Sequence, residues 1–156
     1  MLFHNYHKAR LIIAGTGNLE SDLQKQAKGM TNIEFLGHLP QHQLEDLYKN
    51  AVAIIVPSIC FDISPNVILE AFRQKSAVIV RKVGGMTEMI KKSGGGVFYE
   101  TNDELLAAMD RCLNDVRYRR QLGIKGYTAF QEKWSPKVHI KNYLDLINDI
   151  KAVKRL

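Results

Sequence analysis

Cysteine, proline and tryptophan are scarce in this chain: two, four and one residues out of 156. Two cysteines, Cys60 and Cys112, cannot build a disulfide framework, so an apolar core must hold the fold and both thiols are expected to be reduced. Long hydrophobic runs are absent, and none approaches the length of a membrane span. Met1 to Arg10 has no apolar stretch followed by a small-residue cleavage site, which predicts no secretory leader and a cytoplasmic location. His4, His7, His38, His42 and His139 show no metal-ligand spacing, so no metal or cofactor is assigned. Repeats, low-complexity tracts and interdomain linkers are also missing. A single domain over 1–156, ending in a helical segment at about 135–153, is therefore expected.

Hydrophobic residues make up 46% of the chain and charged residues 24%, the balance of a soluble globular domain large enough to bury a core. The net charge is +6, and Arg117, Arg119, Arg120, Lys151, Lys154 and Arg155 fall late in the chain. Such a surface is either simply solvated or faces anionic lipid, which leaves a peripheral membrane contact open. No basic run is interleaved with aromatics, so nucleic acid is not expected as a partner.

Strand and helix patterns alternate. Leu2 to Lys8 reads as the last turns of a helix. Leu11 to Ala14 is a strand feeding the turn Gly15-Thr16-Gly17, and Leu19 to Lys28 is helical, with Leu19, Leu23 and Ala27 at spacing four. Ile33 to Leu36 is a strand ending in Gly37. Gln41 to Ala51 is a helix with Leu44, Leu47 and Tyr48 on one face. Ala51 to Val56 is an apolar strand expected to be buried on both faces. A fourth strand, Ala77 to Val80, ends near Gly84-Gly85. A short helix follows, Thr87 to Lys92, with Thr87 as N-cap. Gly94-Gly95-Gly96 turns into a fifth strand, Val97 to Tyr99. Asn102 caps a helix to Leu113, and helices over about 116–133 and 136–153 complete the chain. This is the pattern of an open parallel sheet with helices on both faces. In such folds ligands bind beyond the carboxyl ends of the strands, so the Gly15-Gly17 turn, Gly37, the Ser58 to Ser64 loop and Gly84-Gly85 should gather at one edge. The Gly15-Thr16-Gly17 turn lacks the third glycine of a dinucleotide fingerprint and the Lys-Ser/Thr of a Walker loop, so it reads as turn chemistry. His38 follows a strand and either lines that edge or lies on the surface.

The most informative stretch runs from Val56 to Phe72. A strand end leads into a loop carrying one acid, Asp62, and then into a helix with Ser64 as expected N-cap and Pro65 at its first position. Val67, Ile68, Leu69, Ala71 and Phe72 are apolar on nearly every side, which predicts a buried helix from Pro65 to about Gln74. Glu70 lies inside that run, and a buried carboxylate needs a reason to be there. Helical side chains lean toward the N-terminus, so Glu70 is expected to point back toward Asn66 and the loop. A helix start flanked by carboxylates suits a ligand that is anionic in one part and rich in hydroxyls in another.

An acid, seven residues and then Glu70-Ala71 resembles the acid motif of the retaining glycosyltransferases of the GT-B fold, family 4 (group 1). Asp62 stands where the family usually has Glu, and Lys75-Ser76-Ala77 where it usually has Gly-x-Pro. Four further stretches resemble the family in the same order: Leu11 to Gly17, Ile33 to Gly37, Val83 to Glu88 (its Gly-Gly-x-x-Glu turn) and Trp134-Ser135. Val56-Pro57-Ser58 is similar to the family's lead-in to the acid motif. The resemblance implies the C-terminal, Rossmann-like half of a GT-B fold, with its first strand missing.

By position, the resemblance implies Glu70 on the ribose hydroxyls and Asp62 on hydroxyls of the donor sugar. It places backbone N–H groups around Asn66 and Val67 on the diphosphate and Gly37, His38 and Leu39 beside the base, with Gly15, Gly17, Ile63, Ser64 and Pro65 also in the donor site. The implied partners are a nucleotide-diphosphate sugar (UDP- or GDP-linked) and an acceptor saccharide or lipid-linked saccharide, the latter held by an N-terminal domain that this chain lacks. The family's diphosphate-binding Arg and Lys fall before the Leu11 strand, and Arg81 and Lys82 are either replacements for that charge or a solvated turn. The chain alone is expected to transfer no sugar. Other readings are a nucleotide-sugar epimerase half and a non-catalytic nucleotide-binding or interaction module. An apolar stripe at Ile140, Tyr143, Leu144, Ile147 and Ile150 is expected to be partly exposed, favouring self-association.

Overall fold

A computed structural model describes residues 6–153. They form an α/β protein of parallel sheets and helices, whose residues gather into two compact units, Met1–Asn50 and Ala51–Leu156. The start of the expected Leu2 to Lys8 helix lies outside the described residues, as do His4, Lys154 and Arg155. Tyr6 to Lys8 is not helical.

In the first unit, β1 (Leu11–Ala14) and β2 (Ile33–Gly37) pair in parallel, with Leu11 opposite Ile33. The register slips between Ile13 and Ala14, which sets Ala14 against Gly37. α1 (Glu20–Gln26) buries none of its residues, and Leu19, expected on its apolar face, is exposed. α2 (Gln41–Asn50) buries Tyr48 on the predicted face. The Asn32 side-chain amide donates to the Tyr6 carbonyl at 2.7 Å and Arg10 pairs with Glu34, ties that stay within the unit.

The second unit holds a parallel sheet in the order β3 (Ile54–Val56), β4 (Val78–Arg81), β5 (Gly96–Tyr99). β4, in the middle, buries Val78, Ile79 and Val80 completely, as its unbroken apolar run requires. β3 is shorter than expected and only half-buried at Ile54 and Ile55. It is an edge strand of its sheet, and its ladder extends only as far as Ile54 opposite Val78.

Around this sheet run α3 (Asn66–Arg73), α4 (Gly84–Ser93), α5 (Asn102–Asn114), α6 (Val116–Ala129), a π-helical turn (Phe130–Trp134) and α7 (Pro136–Val153). α4 begins three residues before Thr87, at the glycine pair, with Val83 as its cap. The cap of α5 is Thr101 rather than Asn102, in a reciprocal capping box: the Glu104 amide donates to Thr101 Oγ1, and the Thr101 and Glu100 amides donate to Glu104 Oε2. The single helix expected over 116–133 changes to the π turn at Phe130, which directs Phe130 into the core. Cys112 is buried, and burial pushes its thiol pKa up.

Three glycines set the core packing. Phe72 stacks near Trp134, with ring centroids 6.3 Å apart, and a Cβ at Gly126 or Gly95 would come within 2.4–2.6 Å of the Phe72 ring. A Cβ at Gly123 would fall 1.9 Å from the Lys75 carbonyl, so α6 rests on the turn after α3 only because it presents no side chain there. Lys75 itself holds φ +60, the left-handed conformation that a glycine takes without strain. This accounts for the family's glycine at that place.

Gly126→Ala should destabilise the protein by about 1–3 kcal/mol through overpacking against Phe72, read as a lower urea midpoint at unchanged slope. The two backbone amides that donate to Glu104 hold its pKa below the ordinary carboxylate value. Because the folded value is the depressed one, Glu104 contributes stability above the ordinary carboxylate value and loses it as pH falls from there through the lower folded value. Glu104→Gln should flatten the acid limb of the stability profile, measured by thermal melts across pH.

Candidate functional site

The expected site residues fall into two groups, one in each unit. In the first, the carboxyl ends of the parallel β1 and β2 bring Gly15 and Gly37 together, with the Gly15 amide donating to the Gly37 carbonyl at 2.6 Å. Both have positive φ, +117° and +62°, so each answers a backbone requirement. Gly17 does not: its φ is outside the left-handed range, and an added Cβ would meet nothing within 4 Å. Its carbonyl accepts from Glu20 as α1 begins. His38 is exposed beyond β2 and Leu39 is half-buried.

The second group is the loop between β3 and α3. Asp62 Oδ1 accepts from the Ser64 amide at 2.9 Å, an Asx-type turn that fixes the carboxylate in the exposed loop. The Asp62 amide donates to the Cys60 carbonyl, and Ser58 Oγ lies 2.8 Å from Cys60 Sγ. Ser64 is not the cap of α3. Its amide is taken by Asp62, and Pro65, extended at ψ 122°, occupies the cap position and is buried. Asn66 and Val67 at the helix start are exposed, while Ile68, Ala71 and Phe72 are buried and Glu70 is half-buried. α3 is therefore amphipathic rather than apolar all round. Its solvent-facing side carries the residues expected to meet the ligand.

What holds this loop comes from outside it. The Gly85 amide donates to the Asp62 carbonyl at 3.0 Å, and a Cβ on Gly85 would lie 2.1 Å from the Ile63 carbonyl oxygen. The start of α4 thus forms a shelf for the acid loop that only glycine permits. The available signal was the Gly-Gly pair, but adjacency to Asp62 and Ile63 is a tertiary fact. Ile59, Phe61 and Ile63 point outward, each more than three-quarters exposed.

The two basic residues after β4 differ. Lys82 pairs with Glu100, whose carboxylate raises the Lys82 pKa chiefly through their hydrogen bond, so its charge is locally balanced. Arg81 lies over the Tyr99 ring, 5.7 Å from the centroid, and its Nε is buried with no hydrogen-bond partner among the described residues. Among the described residues no group of three His, Cys, Asp or Glu side chains could hold a metal ion, and no helix is long and apolar enough to cross a membrane.

Residues 2–129 match the family described as Glycosyl transferases group 1. An uncharacterized glycosyltransferase of Methanocaldococcus jannaschii, MJ1607, is 33% identical over 134 residues, covering 83% of this chain; the chain spans 34% of that relative's length. Sucrose-phosphate synthase from Thermosynechococcus elongatus has a similar fold, with a TM-score of 0.79 at 20% identity over 92% of this chain and 39% of its own. Anabaena HepE, solved in complex with UDP, superposes with a TM-score of 0.77 at 17% identity, over 90% of this chain and 41% of its own. A further structure of HepE contains UDP-glucose and superposes with a TM-score of 0.68 at 20% identity, over 78% of this chain and 36% of its own.

Gly85→Ala should cost about 1–3 kcal/mol and shift the amide resonances of Asp62 to Asn66 most, because the new methyl displaces their loop. Gly17→Ala should leave the melting temperature unchanged or slightly raised, since the folded chain has room for the methyl and the unfolded chain loses freedom.

Proposed function

The chain belongs to the group 1 glycosyl transferases, and from that premise we propose that residues 1–156 are the donor-binding domain of a retaining, family 4 enzyme. Its reaction would move a sugar from a UDP- or GDP-linked donor to an acceptor. The observation that carries this reading is the acid loop: Asp62 is fixed by Ser64, carried on Gly85 and followed at once by the exposed start of α3. An anionic group at that start would meet the unpaired amides of the first turn and the positive end of the helix. Hydroxyl groups to either side would meet carboxylates, which accept hydrogen bonds but repel phosphate.

In this reading Asn66 and Val67 supply backbone donors to the diphosphate, with Ile63, Ser64 and Pro65 shaping the approach. Asp62 accepts from the donor sugar and Glu70 from the ribose. Arg81 provides positive charge for the departing diphosphate, a role that Lys82 shares less because Glu100 already balances it. That HepE is solved with UDP and with UDP-glucose supports a nucleotide-linked donor. Transfer needs donor and acceptor held together, and these residues form the donor side. The chain by itself is accordingly proposed to bind the donor without turnover.

Calorimetry with UDP, GDP and ADP tests this. Binding should occur without magnesium, and Glu70→Gln should weaken it by about 1.5–3 kcal/mol, the worth of a hydrogen bond to a charged acceptor, while leaving the melting temperature in place. If Glu70→Gln lowers stability but binds nucleotide as well as the parent chain does, Glu70 has a structural role and the donor site lies elsewhere.

A further inference from the structure

We propose a second ligand site, for a phosphate group, at the opposite end of α3 from the acid loop. It goes beyond the donor reading and does not depend on it. An open groove of about 1040 Å³ is bounded by the last turn of α3, the end of α6, the π turn and the first turns of α7. The eight residues of α3 separate it from the helix start by about 12 Å. Arg73, Lys137 and Lys141 line it, and no carboxylate does. The Lys75 ammonium adds charge at the rim, 4.7 Å from the centroid of the Tyr127 ring, which also lines the groove. Gln74 and Gln131 contribute side-chain amides.

Positive charge is in excess on this side of the chain, and two lysines of α7 carry it in the groove. Ala51–Leu156 carries 17 Lys and Arg against 11 Asp and Glu, whereas Met1–Asn50 carries five of each, so the whole net charge of +6 resides in the second unit. Lys137 and Lys141 are one turn apart on α7 and repel each other, and neither forms an ion pair with a described residue. The acid closest along the helix, Asp145, is one turn past Lys141 and lies outside the groove lining. A multiply charged anion relieves that repulsion. Arg73 offers a planar fork suited to phosphate oxygens and the lysines act as point charges. The Tyr127 ring and the two amides provide a floor for an uncharged body. The ligand class is a phosphomonoester, either a free small molecule or the headgroup of an anionic lipid.

The full chain, labelled with ¹⁵N, is titrated with inorganic phosphate at low ionic strength. Saturable shifts are expected at the amides of Gln74, Gln131, Lys137 and Lys141. They should persist in Asp62→Asn, which alters the proposed donor site in the loop before α3 and lies outside the groove lining, so the two readings stand or fall separately. Lys137→Gln and Lys141→Gln should each weaken binding roughly tenfold, the effect of one charged hydrogen bond. Sedimentation with vesicles containing phosphatidic acid, whose headgroup is a phosphomonoester, against phosphatidylcholine vesicles, distinguishes the source. Lysine-dependent capture by phosphatidic acid without saturation by free phosphate assigns the site to a lipid headgroup; saturation by free phosphate assigns it to a soluble ligand. Phosphate shifts scattered over the surface, together with vesicle capture that is absent or indifferent to both lysines, overturn the proposal. The parent chain's own shift map decides this even if a variant loses structure.

Discussion

The seat of Phe72 is the contact on which the second unit depends. α3 has eight residues, too few to hold a helix in water by local propensity. It keeps its place because Ile68, Ala71 and Phe72 are fully buried, and burial of a ring the size of phenylalanine contributes about 1.5–3 kcal/mol. The ring fits because Gly95 and Gly126 leave it the space and Trp134 covers it. Sheet, α6 and the π turn therefore meet on one side chain. The same side chain fixes both ends of α3, and with them the acid loop before it and the basic groove after it.

The acid loop depends on a second close approach of the same kind. Gly85 lets the start of α4 reach the Asp62 and Ile63 carbonyls, and the Asp62 side chain then closes on Ser64. These hydrogen bonds leave the exposed carboxylate in one orientation at little entropic cost in the bound state, which is the value of a preorganised acceptor. The substitution of Asp for the family's usual Glu shortens the side chain by one methylene. The shorter acid is the one whose geometry allows this local turn.

Charge is distributed with a comparable division. Around β4 and β5 the cations are matched, Lys82 by Glu100 and Arg81 by the face of Tyr99. At the start of α7 they are not, and the excess collects in a concave surface. A net charge alone describes solubility and steering. The proposed phosphate site rests on the clustering of like charges within one groove.

The alternation of strands and helices, the parallel pairing and the amphipathic helices follow from hydrophobic period and turn residues, which are local properties written into Leu11–Ala14, Val78–Val80 and the helices after them. The acid segment from Asp62 to Glu70 was legible too, because its spacing is a short-range feature of one turn and one helix. Several local readings nevertheless failed at boundaries. Ser64, Thr87 and Asn102 all look like caps, yet Pro65, Val83 and Thr101 hold those positions. Capping preference is worth about a kilocalorie, and a competing hydrogen bond or a close packing contact outweighs it. Other features exist only once distant segments meet: the glycine shelf beneath Asp62, the seat of Phe72, and the gathering of Arg73, Lys137 and Lys141 into one groove. Each rests on contacts between residues tens of positions apart, and packing in three dimensions decides these, because no period or spacing along the chain encodes which surfaces will touch.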